Sequence, residues 1–183
     1  MSSLSALCKK ISGILLTAGI VTSVPGHATE ITADYGLAPE FQQVQGWMNS
    51  PPLNMAHLRG KVVLIDFWTY TCINCLHTLP YVKQWHDRYR QQGLVVIGVH
   101  TPEFPEEKDT ANLQAAIQRL DVRFPVAQDN DYATWNAYRN RYWPALYLIN
   151  QQGHIVYQHF GEGNYAQTES MIEQLLSRNP KSH

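Results

Sequence analysis

Cysteine is scarce in this chain, which has three in 183 residues. One of them, Cys8, lies in a segment near the N-terminus that is expected to be removed, so the mature protein is expected to keep Cys72 and Cys75 alone. Basic residues are not in excess either. The formal net charge is −1 and no basic stripe is present, which argues against nucleic acid as a partner. Long apolar runs are also lacking, because none reaches the roughly 20 residues that a membrane-spanning helix needs.

The first 28 residues are predicted to form a secretory signal peptide. Lys9 and Lys10 precede an apolar stretch over 11–24, and small residues then occupy the −3 and −1 positions of a cleavage site after Ala28. An uncleaved membrane anchor is the alternative, but the stretch is short for a span. No cysteine ends the stretch, so a lipoprotein is not expected. The mature protein is therefore expected in the periplasm or an equivalent compartment, without stable membrane insertion, where disulfides persist.

The two remaining cysteines stand where a buried strand gives way to a helix. The apolar run Val62–Ile65 predicts a strand of a parallel sheet, and a helix is predicted from Cys72 to about residue 91. Unpaired backbone N–H groups and the helix dipole favour the thiolate of a cysteine at a helix start. Cys75 follows one helical turn later, on the same face and within disulfide reach. The spacing predicts a redox-active dithiol.

Other uses of this cysteine pair are weaker. A disulfide that closes so short a loop restrains the unfolded chain by only about 2 kcal/mol, so a structural staple is not favoured. A haem site needs Cys-x-x-Cys-His, and Leu76 here separates Cys75 from His77. Cys72, Cys75 and His77 together offer three ligands for copper, so a copper-binding chaperone stays an alternative.

The rest of the chain predicts one α/β domain over 61–183, preceded by a lead-in over 29–60 that packs on the core. Strands are predicted over 61–67, 94–99, 124–127, 145–149 and 154–160. Helices are predicted over 72–91, 106–120, 132–139 and 165–176. The alternation of strands and helices, closed by a hairpin and a helix, argues for an α/β sheet covered by helices on both faces. No repeat, low-complexity segment or long linker indicates a second domain.

Several motifs of this domain fall in the order found in thioredoxins: Asp66-Phe67-Trp68, Cys72-x-x-Cys75, Pro80 and Trp143-Pro144. From Lys61 to Leu176 the chain therefore resembles a thioredoxin-like fold with a central mixed sheet. A helix-strand insert between the second core strand and the cis-proline strand is similar to the exported TlpA type. Three longer blocks are similar to the thioredoxin-like module of DipZ-type proteins: residues 67–75, 98–103 and 138–145. Thr71 departs from the pattern, because most thioredoxins place a tryptophan there.

The resemblance implies a role for each site residue. Cys72 is expected to be the nucleophile and Cys75 the resolving thiol. Asp66 is a carboxylate in an otherwise apolar strand, so burial would raise its pKa and let it exchange protons with Cys75. Pro144 is expected to be cis and to face the disulfide, where its loop would present backbone groups to an extended substrate.

Four further residues are candidates for substrate binding beside Pro144. Ile73 and Asn74 lie between the cysteines, and His100 follows a strand end, where ligand sites of α/β proteins tend to lie. Trp143 is the fourth, although a tryptophan at that place also serves as a wall of the site or as core.

The function expected from these residues is that of an exported thiol-disulfide oxidoreductase acting on protein disulfides. Ile73 and Asn74 add no positive charge, so a reducing dithiol is expected, with no cofactor beyond the Cys72–Cys75 disulfide. A separate membrane electron donor of the CcdA/DsbD type is expected to keep it reduced. A thiol peroxidase is a second alternative, because Thr69 precedes Cys72 by three residues as the peroxiredoxin threonine does. The proline that peroxiredoxins place upstream is replaced by Ile65.

Overall fold

The structure is a computed structural model that describes residues 33–178. The predicted signal peptide, 1–28, lies outside the described residues. Within them the strands are β1 (Gly46–Met48), β2 (Val62–Trp68), β3 (Leu94–His100), β4 (Val126–Gln128), β5 (Ala145–Ile149) and β6 (Ile155–Phe160). The α-helices are α1 (Ile73–Tyr89), α2 (Thr110–Arg119), α3 (Ala133–Ala137) and α4 (Tyr165–Ser177).

The strands form one mixed sheet in the order β1-β4-β3-β2-β5-β6. The two apolar runs predicted as buried strands, β2 and β3, are parallel neighbours at its centre, and β4 continues the parallel side. β5 and β6 form an antiparallel hairpin beside β2, and β1 lies antiparallel to β4 at the other edge. The predicted mixed sheet is confirmed.

Both faces of β2 are buried, which explains its unbroken apolar sequence. Val62 and Leu64 face a large core cluster to which α1, α2 and α4 contribute. Val63 and Ile65 point to the opposite face, where α3 and the lead-in supply the cover. Helices therefore lie on both faces, as expected, although the second face depends on the lead-in as much as on a helix.

Three predicted segments differ from the structure. The lead-in contributes β1, whose few residues carry no strand pattern and are extended because β4 pairs with them. The single helix predicted over 106–120 is divided into a 3-10 turn, Pro105–Lys108, and α2, because Asp109 adopts an extended conformation and caps α2 through the Asn112 N–H at 2.9 Å. The strand predicted over 124–127 begins later, at Val126.

The chain segments that build the site meet at the end of the sheet where the central strands β2 and β3 terminate. β2 ends at Trp68, which pairs with His100 at the end of β3. Phe67 pairs with Ala145 at the start of β5, so Pro144 lies at the same end of the sheet. No helix between residues 33 and 178 is long and apolar enough to cross a membrane.

Candidate active site

Cys72 occupies the N-cap of α1, between the end of β2 and the first helical turn. Its backbone is extended, with φ −69° and ψ 114°, and its Sγ accepts a hydrogen bond from the Cys75 N–H at 3.2 Å. Such a bond satisfies one of the N–H groups that a helix start leaves unpaired. The Cys72 side chain is half-buried, whereas Cys75 is only 2% exposed, and both are free thiols. Only Cys72 is therefore open to a macromolecular disulfide.

The surroundings of Cys75 hold its thiol in the protonated form. Burial raises the pKa of Cys75, and the hydrogen bond with Cys72 and the charge of Asp66 raise it further. A backbone hydrogen bond from Thr69 acts in the opposite direction, and its effect is smaller than those of burial and of the Cys72 hydrogen bond. Cys75 thus needs a base before it can attack a disulfide.

Asp66 is a buried carboxyl group with the properties that such a base requires. It is 2% exposed on β2, and its Oδ1 has no hydrogen-bond partner among the described residues. Burial alone raises the pKa of Asp66 to about 7. A carboxyl with that pKa exchanges its proton at neutral pH, which suits a group that accepts a proton from a buried thiol.

The Trp143-Pro144 peptide bond is cis, which confirms the prediction. Pro144 is buried, and its carbonyl accepts a hydrogen bond from the Gly161 N–H at 2.8 Å. Trp143 is half-buried and donates from Nε1 to the Thr101 carbonyl at 3.0 Å. Its indole packs on Trp135 at a centroid distance of 4.2 Å. Trp143 therefore forms a wall that links the cis-proline loop to the end of β3.

The residues between the cysteines face solvent. Ile73 is 61% exposed in the first turn of α1, and Asn74 is exposed beside it. Their contacts with a substrate remain a prediction. Because both side chains face solvent, a substrate has room to reach them.

His100 lies elsewhere than its predicted role requires. It has no exposed surface, stacks on Tyr70 at 5.4 Å and lies 3.2 Å from the Thr69 hydroxyl through Nε2. Burial lowers the pKa of His100 to about 4, so the imidazole is neutral at neutral pH. His100 packs beneath the loop that precedes Cys72, and it presents no atom to a substrate in this structure.

Glu107 is a site residue that the sequence reasoning missed. It is fully buried, and its Oε1 accepts a hydrogen bond from the Thr71 hydroxyl at 2.5 Å. Its Oε2 accepts from the Glu103 N–H at 2.6 Å and the Phe104 N–H at 3.1 Å. Burial acts to raise the pKa of Glu107, but hydrogen bonds from the side chains of Thr69 and Thr71 and from these two N–H groups outweigh burial and lower the pKa. The carboxylate ties the loop after β3 to the residue that precedes Cys72.

A local signal for Glu107 was present in the sequence. Pro105 at the first helical position and a glutamate two residues later are typical of a helix start whose glutamate bonds back to the N-cap N–H. The signal does not show that Glu107 is buried, because the neighbouring Glu106 has the same side chain and is exposed.

The structure does not bring together all the residues that either alternative function would need. His77 is exposed and pairs with Glu162 at 3.1 Å, and within residues 33–178 no three His, Cys, Asp or Glu side chains are grouped to hold a metal ion. The Thr69 hydroxyl, which the peroxidase reading would direct at Cys72, is engaged by His100.

Comparison with known proteins agrees with this geometry. The model of the AhpC/TSA family matches residues 36–158. The chain is 50% identical over 145 residues to protein DipZ of Mycobacterium tuberculosis, covering 78% of this chain and 21% of DipZ. It is 29% identical over 140 residues to thiol-disulfide oxidoreductase YkuV of Bacillus subtilis, covering 76% and 91%. The chain thus spans about a fifth of DipZ but most of YkuV.

A crystal structure of a thioredoxin-like superfamily protein superposes with a TM-score of 0.71 at 33% identity, covering 79% of this chain and 99% of that one. The thioredoxin-like fold implied by the motifs is thereby confirmed.

Proposed function

The chain belongs to the AhpC/TSA family, as a thioredoxin-like protein of the TlpA/DipZ type, and from this premise we propose that it is an exported thiol-disulfide oxidoreductase. It reduces or isomerises protein disulfides through Cys72 and Cys75. The observation that carries the proposal is the asymmetry of the pair. An accessible sulfur caps α1, and a buried, protonated one lies near a carboxyl whose pKa is about 7.

The reaction divides into two exchanges. The thiolate of Cys72 attacks one sulfur of the substrate disulfide, so a mixed disulfide forms and the other substrate sulfur leaves as a thiolate that takes a proton. Asp66 then accepts the proton of Cys75, whose thiolate attacks the Cys72 sulfur. The Cys72–Cys75 disulfide forms and the second substrate thiol is released. Two electrons pass to the substrate, and no cofactor beyond the dithiol is needed.

The test is reduction of insulin by the mature chain with dithiothreitol as the electron source. We expect Cys72→Ser to abolish the catalysed reduction and Cys75→Ser to accumulate a mixed disulfide. His77→Ala is the matched control, since the oxidoreductase does not need this imidazole whereas a copper chaperone would. Tight copper binding that His77→Ala abolishes, in a protein without reductase activity, would replace our proposal with the copper alternative.

Export and the partners belong to the same proposal. The basic and apolar pattern of residues 1–28 supports secretion, with removal after Ala28. The similarity to the thiol-disulfide oxidoreductase YkuV supports disulfide-bonded protein substrates. A dithiol that is oxidised in each cycle needs an electron donor, and we propose a membrane protein of the CcdA/DsbD type for this role. Mass spectrometry of the protein recovered outside the cytoplasm should find an N-terminus at Thr29, and an intact N-terminus in membranes would contradict this. Cys75→Ser should capture both the donor and the substrates.

A further inference from the structure

A groove of about 480 Å³ opens on the face of the sheet that α3 and the lead-in cover. Its lining is mainly aromatic and includes Tyr35, Tyr138, Tyr147 and Phe160. The lead-in residue Leu37 and the cation of Arg139 also line it. Tyr35 and Leu37 are exposed although they are large and apolar in character. None of the processes described above uses this groove.

The groove runs beside a strand edge that is only partly covered. β6 is the last strand of the sheet, and the lead-in pairs with its first residue alone, through the Tyr35 N–H to the Ile155 carbonyl and the Ile155 N–H to the Gly36 carbonyl, both at 2.9 Å. From Val156 to Phe160 no other strand lies along this edge within residues 33–178. An uncovered edge is a template for an added strand.

The far end of the groove reaches the active site. Phe160 is 44% exposed, and its ring lies 5.6 Å from that of Tyr142, which precedes the cis-proline loop. The next residue, Gly161, donates to the Pro144 carbonyl at 2.8 Å. Glu162 then pairs with His77, two residues beyond Cys75. The segment 160–162 therefore joins the groove to the cysteine-bearing helix.

The charge in the groove is of one sign. Arg139, two residues after the end of α3, adopts the left-handed conformation with φ 53° and is exposed. It makes no ion pair or side-chain hydrogen bond with the described residues. No acidic side chain lines the groove. An occupant with a carboxylate at this place would meet a cation that no described side chain pairs with.

We propose that the groove and the edge of β6 bind an extended segment of the substrate protein, next to the disulfide that Cys72 attacks. The segment adds to β6 as a further strand, places apolar or aromatic side chains among the exposed Tyr35, Leu37 and Phe160, and directs an acidic side chain to Arg139. The inference rests on the proposed function, because the occupant is the disulfide-bearing substrate. It names a sequence preference that the dithiol by itself would not have.

Synthetic peptides with one internal disulfide test this preference. Each has the same disulfide ring and an equal extended flank of Phe and Val with a central Glu or a central Lys. We expect the KM of the Glu peptide to be about three-fold lower or more, as an exposed ion pair allows. Arg139→Glu should reverse the order, whereas Arg141→Glu, an exposed residue outside the groove lining, should leave it unchanged. Oxidised glutathione, which has no flank, should be reduced equally by all three proteins.

Hydrogen exchange locates the bound flank. In a protein with both cysteines replaced by serine, the Glu peptide should protect those backbone N–H groups within 156–160 that face away from β5 and are not already bonded to it. Equal KM values for both peptides, or protection elsewhere, would overturn the inference. Protection of these N–H groups before peptide is added would also overturn it, by assigning the edge to a second copy if the mass is doubled, or to residues 29–32 if it is not. Failure to reduce even glutathione would instead refute the proposed function.

Discussion

Replacing Asp66 with asparagine should change how the stability of the protein depends on pH. The pKa of this carboxyl is about 7 in the folded protein against 3.8 without burial. Between these values the folded protein holds the proton and the unfolded chain does not, so stability falls as pH rises from about 4 to 7 and is constant beyond. The loss for this group amounts to about 4 kcal/mol. Asp66→Asn lacks this loss, because an amide does not ionise.

His100 makes the comparison with the variant necessary. Its pKa of about 4 lies below its usual 6.5, so its burial makes stability rise with pH over much of the same interval. In the unmodified protein the two slopes partly cancel. Subtracting the curve of the unmodified protein from that of Asp66→Asn removes the His100 contribution, which both proteins share.

The assay is urea unfolding at a series of pH values from 4 to 8, with the cysteines kept reduced. The advantage of Asp66→Asn over the unmodified protein should grow by about 4 kcal/mol across the series. Asp87→Asn on the exposed face of α1 is the matched control for loss of a carboxyl. Parallel curves for Asp66→Asn and the unmodified protein would refute the burial of an ionisable carboxyl at position 66. The same variant should release substrate thiols more slowly at neutral pH, because Cys75 loses the base that we propose for it.

Three further outcomes are expected. Iodoacetamide should alkylate Cys72 well before Cys75, since Cys75 is buried and its pKa is raised, and peptide mapping that finds the reverse order would exchange their roles. Glu107→Ala should lower the free energy of unfolding by about 2–4 kcal/mol, because the Thr71 hydroxyl and two N–H groups lose their acceptor. Glu106→Ala, at an exposed position, should change it little, and similar losses in both variants would contradict these hydrogen bonds of Glu107. Redox equilibration with glutathione should give a potential nearer about −270 mV than about −120 mV, and a value above about −150 mV would show that the dithiol is an oxidant.

Local sequence determined the parts of the fold whose residues leave few choices. The apolar runs of β2 and β3 exceed what an exposed strand tolerates, so a central parallel pair followed from them alone. Cys72 and Cys75, one helical turn apart after such a strand, predict a redox pair, and Trp143-Pro144 marks the start of β5. In each case the information lies within a few consecutive residues.

Contacts between segments distant in the chain decided the rest. β1 is a strand because β4 offers it a partner, and Glu107 rather than Glu106 is buried because Thr71 lies opposite it, 36 residues away in the chain. His100 follows a strand, as a ligand-binding residue would, yet packing against Tyr70 encloses it. The pKa of Asp66 depends likewise on how completely the neighbouring strands and α1 exclude water. Burial is a property of the assembled core, and only the tertiary structure determines it.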